Sequence, residues 1–260
     1  AQIETALEKV RARSLAMQSP GELIEVAKLL RKEMGLLGVE ALETGSVFIM
    51  GAKDTVECWY AIKDVRVKNA NLVSDEMILQ LNETWVGKEM RKFYQSDKAQ
   101  TSIVMKGQRR KDWINYCAEK SNVLTNYYGD EIPDRTYHLV KFPGGYLGAS
   151  SVGEISHESF DLLHRAAVVF SLAYTRFKDL QEAEARMRDT QIELALERVR
   201  ARSLAMHHTS ELQDVANVLA QQLLSIGIDI NGGVFIVIID EIKKIIPIWA
   251  SSGMTDYVQK

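Results

Sequence analysis

The stretch from Gln2 to Met17, QIETALEKVRARSLAM, returns almost unchanged from Gln191 to Met206 as QIELALERVRARSLAM. At this offset of 189 residues, 14 of the 16 positions are identical. The similarity continues further along, where Val47-Phe48-Ile49 is matched by Val234-Phe235-Ile236 after a two-residue gap. A period of this length is too long for one unit of a solenoid. It corresponds to a whole domain followed by a connecting helix.

The repeat divides the 260 residues into four segments. We expect an N-terminal helix at residues 1–18, a complete domain at 19–156, a long linker helix at 157–208 and the start of a second copy at 209–260. The second copy stops well before the length of the first, so we expect it to be truncated and the chain to be a piece of a longer tandem protein.

The two helical segments carry a narrow apolar seam. In the N-terminal helix, apolar residues and one serine are spaced alternately by four and three. In the linker helix, apolar residues recur every seven positions. Both spacings are typical of a coiled coil. A helix with such a seam needs a partner, and we predict a second copy of the chain in a parallel homodimer. The predicted interface residues are Ile3, Leu7, Val10, Met17, Leu163, Phe170, Phe177, Leu180 and Met187.

The segment between the two helices alternates between strand and helix signals. Ser19-Pro20-Gly21-Glu22 resembles a helix start, with Ser19 as the cap and Glu22 completing a capping box. Strands are predicted at 46–50, 55–62 and 101–105, and a hairpin at 135–142 and 146–151 around Pro143-Gly144-Gly145. Helices are predicted at 109–120 and from Ser74 onwards, the latter with Met77, Ile78, Leu81, Trp85 and Met90 on one face.

Composition excludes several classes of protein. The net charge is −3, with 46% hydrophobic residues, so nothing indicates a nucleic-acid footprint or a disordered acidic chain. No apolar stretch is long enough to span a membrane, and residues 1–4 do not resemble a signal peptide. Cys58 and Cys117 lack metal-ligand spacing, which favours a reducing cytoplasm. We therefore predict a cytoplasmic protein and no metal site.

Few residues point to catalysis. Ser156-His157-Glu158 resembles the start of a histidine-kinase phosphoacceptor box, but the residues after it depart from that motif and no ATP-lid motif follows. We interpret Ser156 as a helix cap. His207-His208 and the basic run 106–111 are interpreted as a helix end and a solvated loop. We predict no catalytic residue and no enzyme, and the cofactor is left unknown.

The region between the two helical segments is unusually rich in tryptophan and tyrosine. Such side chains can line a small-molecule cavity, although ordinary core packing explains them equally well. The residues predicted to line a ligand pocket are Trp59, Trp113, Tyr116 and His138. We expect this pocket between the sheet and the segment from Leu72 to Tyr128.

The string from Phe160 to Leu212 resembles the inter-domain segment of bacterial multi-domain GAF sensors, which are often fused to histidine-kinase output modules. The order of helices, strands, hairpin and outgoing helix is also similar to that of a GAF domain. The resemblance implies an α+β fold with an antiparallel sheet, helices on one face that often form a dimer interface, and a small-molecule pocket, where present, on the other face. It implies a sensor of a two-component system with a downstream output domain.

Three functions are compared on this basis. The first is a sensor module that binds a small molecule or relays a conformational signal through a dimeric linker. The second is a ligand-free scaffold that only dimerises and spaces other modules. The third, an enzyme acting on a small molecule, has no nucleophile–base pair or carboxylate pair to support it.

The opening of the second copy is expected to need a partner. A two-stranded hairpin is marginal alone in water. We predict that it packs against its own counterpart in a second chain, through Val234, Ile236, Ile238, Ile246 and Trp249.

Overall fold

The fold was obtained from a computed structural model, which describes residues 2–36, 42–230, 233–239, 242 and 244–251. The chain divides into two compact units, residues 1–178 and 179–260, and each is described by itself. The first unit is α+β, with a six-stranded antiparallel sheet between helices. Within the described ranges, no helix is both long enough and apolar enough to cross a lipid bilayer.

The sheet of the first unit contains β1 (Thr44–Met50), β2 (Thr55–Ile62), β3 (Val73–Gln80), β4 (Gln100–Met105), β5 (Arg135–Phe142) and β6 (Gly145–Ser151). Its spatial order is β3-β2-β1-β6-β5-β4, so β1 and β6 lie at the centre and β3 and β4 at the edges. Every neighbouring pair is antiparallel. The β5–β6 hairpin turns at Pro143 and Gly144, whose φ of +94° suits glycine.

The helices are α1 (Gln2–Leu15), α2 (Leu23–Leu36), α3 (Trp85–Gln95), α4 (Gln108–Ala118), α5 (His157–Leu204) and α6 (Leu212–Ser225). Thr84 caps α3 by accepting a hydrogen bond from the Gly87 amide at 3.0 Å. Ser156 caps α5 in the same way, accepting from the Ser159 amide at 3.1 Å. This confirms the interpretation of Ser156 as a helix cap.

Two apolar layers enclose the sheet, one on each face. The first layer packs α2 and the early turns of α5 against alternate strand residues such as Val47, Trp59 and Leu147. The second layer packs α3 and α4 against the strand residues that alternate with the first set, including Phe48 and Tyr60. Successive strand residues face opposite sides of a sheet. Neighbours in sequence such as Trp59 and Tyr60 therefore belong to different layers.

The predicted strands at 46–50, 55–62 and 101–105, the hairpin at 135–151 and the helix at 109–120 are confirmed to within two residues at every end. The helix predicted to start at Ser74 is wrong. Residues 73–80 form β3, and the helix begins only at Trp85. Met77 and Leu79 point into the core while Ile78 is exposed, a period of two that the exposed isoleucine hides in the sequence.

A sharp break separates α1 from α2. The Glu22 carboxylate accepts hydrogen bonds from the amides of Gln18 and Ser19, at 3.0 and 3.2 Å. Arg13, in the last turn of α1, reaches over the break to the other oxygen of Glu22 at 2.8 Å. The predicted capping box is confirmed, and it extends by one ion pair to the preceding helix.

The second unit contains the later turns of α5, then α6 and a short hairpin of β7 (Val234–Val237) and β8 (Ile248–Ser251). The α6 side chain of Gln213 donates a hydrogen bond to the Ala250 carbonyl at 2.7 Å. In the hairpin segment Ile238 and Ile246 are exposed, and Val234, Ile236 and Trp249 are half-buried. Packing of these five residues against a second chain stays a prediction.

Candidate functional site

A small internal cavity lies between the sheet and α4. Its walls include Ser46 and Tyr60 from the sheet and Arg110 and Trp113 from the helix. Its volume is about 20 Å³, which holds about one water molecule. It lies between the sheet and the segment from Leu72 to Tyr128, where the ligand pocket was predicted, but it has no room for a metabolite.

A buried charge cluster adjoins this cavity. The Glu43 carboxylate accepts from Arg135 at 2.9 Å and from Arg110 at 3.3 Å, and all three side chains are almost completely buried. Arg110 also donates to the Tyr128 hydroxyl at 2.9 Å and to the Pro133 carbonyl at 3.2 Å. Two cations thus share one carboxylate in a medium of low dielectric, and the cluster ties α4 to the start of β1 and β5.

A chain of hydrogen bonds leads from the cavity towards the edge of the sheet. The Ser121 hydroxyl donates to the Asp75 carboxylate, so its oxygen is left to accept from the Tyr60 hydroxyl at 2.7 Å. Burial raises the pKa of Tyr60 well above its usual value, which keeps this proton in place. The hydroxyl of Tyr60 is therefore held in one orientation at the cavity wall.

Both cysteines also line the cavity and are buried free thiols. Burial raises the pKa of Cys58, and the neighbouring Cys117 adds to the effect. Burial likewise raises the pKa of Cys117, partly offset by Arg110. Since the thiolate is the reactive form of cysteine, neither position favours nucleophilic chemistry.

The four predicted ligand-binding residues do not meet at one site. Trp113 lines the cavity, and Tyr116 packs beside it at a ring-centroid distance of 6.3 Å with its hydroxyl against the Gln80 amide. Trp59 faces the opposite layer and donates its indole N–H to Glu76 at 2.7 Å. His138 also faces that side, where its ring meets Phe160 of α5 edge-on at 5.4 Å.

The His138 imidazole connects several elements of the first unit. Ser151 donates its hydroxyl proton to the Gly153 carbonyl, so it can only accept from His138 Nε2, at 2.9 Å. His138 Nδ1 is then left to accept from the Ser102 hydroxyl at 3.0 Å. This network joins β4, β5 and the end of β6 directly in front of the first turn of α5.

The structure separates the predicted dimer seam into two groups. Six of its nine residues lie in the core of the first unit. Three come from α1 and the residues just after it, and three from the early turns of α5: Leu7, Val10, Met17, Leu163, Phe170 and Phe177. The other three are exposed. Ile3 is on α1, and Leu180 and Met187 are 54% and 59% exposed on the later turns of α5.

The exposed part of the seam extends along α5. Leu180, Met187 and Leu194 are seven residues apart, and each is more than half exposed. Seven-residue spacing places them on one side of the helix. A row of three large apolar side chains in contact with water is the part of the predicted seam that is open to a partner.

The polar contacts of the helix break recur in the second copy. Arg202 contacts Glu211 at 3.1 Å, as Arg13 contacts Glu22, and Glu211 accepts from the amides of His207 and His208. His207 and His208 thus supply backbone groups to the break. Both residues were predicted to form the end of a linker helix at 157–208, but α5 ends at Leu204, so they follow the helix.

Comparison with known proteins adds little. No protein-family model matches the sequence, and no curated protein matches it. Among solved structures, the chain is similar to the photosensory core module of the wild-type phytochrome of Stigmatella aurantiaca, at 11% sequence identity and a TM-score of 0.45. The match covers 96% of this chain and 49% of that chain, so this chain spans about half the length of the phytochrome module.

Proposed function

We propose that the chain is a non-enzymatic relay module of a signalling protein, with a GAF-like domain at 19–156 that acts through a dimeric linker helix. One observation carries the proposal, namely the change of environment along α5. The early turns are buried against the sheet through residues such as Phe170, whereas the later turns expose Leu180, Met187 and Leu194. One uninterrupted helix thus joins a packed domain to a surface suited to a partner.

The start of α5 is where the domain acts on the helix. His138 joins β4, β5 and the end of β6 by hydrogen bonds and contacts Phe160 in the first turn of the helix. A rearrangement of the sheet therefore changes the packing at this point. The start of the helix can have two packings of similar free energy. Because the helix is stiff, a shift from one packing to the other moves its later turns and any output domain beyond.

The proposed partner is a second copy in parallel orientation. In a parallel pair, Leu180, Met187 and Leu194 of one chain meet the same residues of the other, which removes all three from water. Exposed charged residues beside this row, such as Glu184 and Arg188, keep the neighbouring surface soluble.

Spin-label distances test this arrangement. Glu182→Cys and Glu193→Cys, labelled separately with a nitroxide, place probes on exposed turns of α5, and the buried native cysteines leave the label selective. Paired helices lie about 8–10 Å apart, so a parallel dimer gives short distances of similar size at both sites.

An antiparallel pair gives a different result. The two sites are 11 residues apart, or about 16 Å along the helix. At least one label pair is then offset by about 16 Å or more. That result, or the absence of any dipolar signal at tens of micromolar protein, contradicts the proposed relay geometry.

The ligand-free scaffold is the second candidate, and the small cavity favours it. A space of about 20 Å³ takes a water molecule and excludes a metabolite, so a ligand would have to open the cavity first. Thermal-shift measurements with a panel of nucleotides and small metabolites distinguish the two. A saturable increase in the melting temperature, abolished by Trp113→Ala but not by Val168→Ala, supports the sensor. No shift with any compound favours the scaffold.

The proposal includes no catalysis. The two thiols of the sequence support this part of the proposal. Both are buried, and because burial raises their pKa values, they are protonated at neutral pH. Turnover of any compound in that panel by the purified chain would contradict this part.

A further inference from the structure

Strand β4 is an open edge of the sheet, since it pairs with β5 and has no neighbour on its other side in the described part of the chain. The Lys141 amide donates to the Ala99 carbonyl at 2.8 Å, and this bond shows which residues of β4 are hydrogen-bonded to β5. Residues 99, 101, 103 and 105 then bond to β5. Gln100, Ser102 and Val104 direct their backbone N–H and C=O groups away from the sheet.

A cleft lies beside this edge. It is between α3 and β4, has a volume of about 390 Å³ and is open to solvent. Trp85 and Phe93 of α3 and Ile103 of β4 form its apolar wall. A further strand paired with β4 would direct every second side chain towards this cleft.

The charges around the cleft are mainly positive. Lys92, Lys98 and Arg109 line it, together with one carboxylate, Glu89, which pairs with Lys92 at 2.7 Å. The guanidinium of Arg109 lies over the Trp85 ring at 4.0 Å. In the described ranges, no carboxylate is within 4.0 Å of Arg109 or Lys98. Both cations are therefore available to a partner.

Basic residues on edge strands commonly prevent unwanted pairing between sheets. Strand β4 itself is uncharged, but Lys92, Lys98 and Arg109 beside it repel their counterparts in a second copy of the chain. They attract an acidic strand, so protection of the edge and selection of a partner are compatible. The opposite edge differs, because the outward Gln80 amide of β3 is already taken by the Tyr116 hydroxyl at 2.7 Å.

We propose that β4 and the adjoining cleft bind an extended acidic segment of a partner protein by strand addition. The outward groups of Gln100, Ser102 and Val104 supply backbone hydrogen bonds, as in other cases of β-augmentation. Lys98 and Arg109 select carboxylates, and the Trp85 wall receives the apolar side chains between them. This surface is separate from the exposed row on α5.

Fluorescence anisotropy with labelled peptides tests the proposal. An alternating Glu–Val peptide should bind saturably and more weakly as salt is raised. An alternating Lys–Val peptide should not bind. A Glu–Val peptide with N-methyl groups on every second amide keeps the charge but cannot extend the ladder, so it should lose at least tenfold in affinity. Equal binding of the methylated peptide, or no binding of the parent peptide, overturns the proposal.

Variants locate the site. Val104→Pro removes one outward N–H and leaves the bonds to β5 in place, because proline is tolerated on the open side of an edge strand. It should weaken binding at least tenfold, whereas Ile78→Pro on the opposite edge should not. Lys98→Glu with Arg109→Glu should abolish binding, and Lys88→Glu, outside the cleft on α3, should have little effect.

Circular dichroism shows whether each variant is folded, and the peptide comparison holds even if Val104→Pro is not. If the charge variants lose binding while a folded Val104→Pro binds the peptide fully, nonspecific charge attraction explains the binding. That outcome also contradicts strand addition.

Discussion

Leu7 and Leu196 occupy the same position in the two copies of the repeat, yet Leu7 is 7% exposed and Leu196 is 58% exposed. Their neighbours in sequence are nearly identical. The difference arises because Leu7 belongs to the buried cluster that contains Leu163 and Phe170 of α5. Leu196 has no equivalent outgoing helix over it in the described part of its unit.

This pair gives a matched test of stability. We expect Leu7→Ala to lower the free energy of unfolding by about 2–5 kcal/mol, because it leaves a cavity in a packed core. Leu196→Ala should change it by less than about 0.5 kcal/mol, as at other exposed positions. Urea unfolding followed by tryptophan fluorescence measures both. Equal losses for the two variants would show that the second copy buries this position too.

Leu180→Asp should weaken self-association, because it puts a charge into the proposed interface of two helices. Gln181→Asp adds the same charge one residue further on, about 100° around the helix, and serves as the control. Sedimentation velocity at tens of micromolar should show the wild type and the control near twice the chain mass of 29.3 kDa. If Leu180→Asp sediments like the wild type, the exposed row is not the contact.

The cluster around Glu43 should be sensitive to loss of its one carboxylate. Glu43→Gln leaves Arg110 and Arg135 buried without a counter-charge, and breaking a buried pair in this way costs about 3–5 kcal/mol. Glu33→Gln is the matched control. In the second copy, the positions of Lys9 and Glu33 are occupied by Arg198 and Gln222, which are in contact. The variant therefore replaces an ion pair by a type of contact that the other copy already uses, and it should cost less than about 1 kcal/mol. Denaturant midpoints of the two variants compare them directly, and similar losses would contradict the special role of Glu43.

Stability should decline in alkali. Cys58 and Cys117 keep their protons in the folded state because burial raises their pKa values, while unfolded thiols ionise near about pH 8.5. The contribution of these thiols is therefore complete below that pH and is lost as pH rises towards the folded values. Each thiol contributes a slope of about 1.4 kcal/mol per pH unit in this window.

Urea unfolding between pH 7 and 10 measures the slope. Cys58→Ala with Cys117→Ala should be less stable at neutral pH, but its stability should depend less on pH below the range where unfolded tyrosines ionise, near about pH 10. Identical slopes for the variant and the wild type would contradict thiols held protonated by burial.

Local signals were sufficient for most of the fold. The strand-forming run of β2, the Pro143-Gly144 turn and the cap at Ser19 each depend on neighbours in sequence, and they were predicted correctly. Strand β3 was not, because an exposed Ile78 beside Met77 and Leu79 imitates a helical face. The first half of α5 was assigned to a narrow seam because two of its alanines, Ala166 and Ala167, were not counted as part of the wide face that packs against the sheet.

The site depends on which face of the sheet each residue occupies. Cys58, Trp59 and Tyr60 are consecutive, and only the packing of the helices determines that Trp59 turns away from the cavity. The interpretation of residues 106–111 as a solvated loop is wrong for Arg110, which lies on α4 and is 1% exposed. Its signal was available, since Arg110, Trp113, Ile114 and Cys117 share one face of α4 and an arginine on an apolar face implies a buried counter-charge. That the partner is Glu43 follows only from the tertiary fold.

The break between α1 and α2 has a consequence for how such chains grow. Arg13, Ser19 and Glu22 lie within ten residues, and the Arg13–Glu22 contact recurs at Arg202 and Glu211. It forms in both copies although Leu7 of the preceding helix is buried and its counterpart Leu196 is exposed. The change of direction is thus specified locally and does not depend on what packs over it. A gene duplication that copies these ten codons therefore copies a complete helix break. Repeats can then be added in series without evolving a new connection between the helices each time.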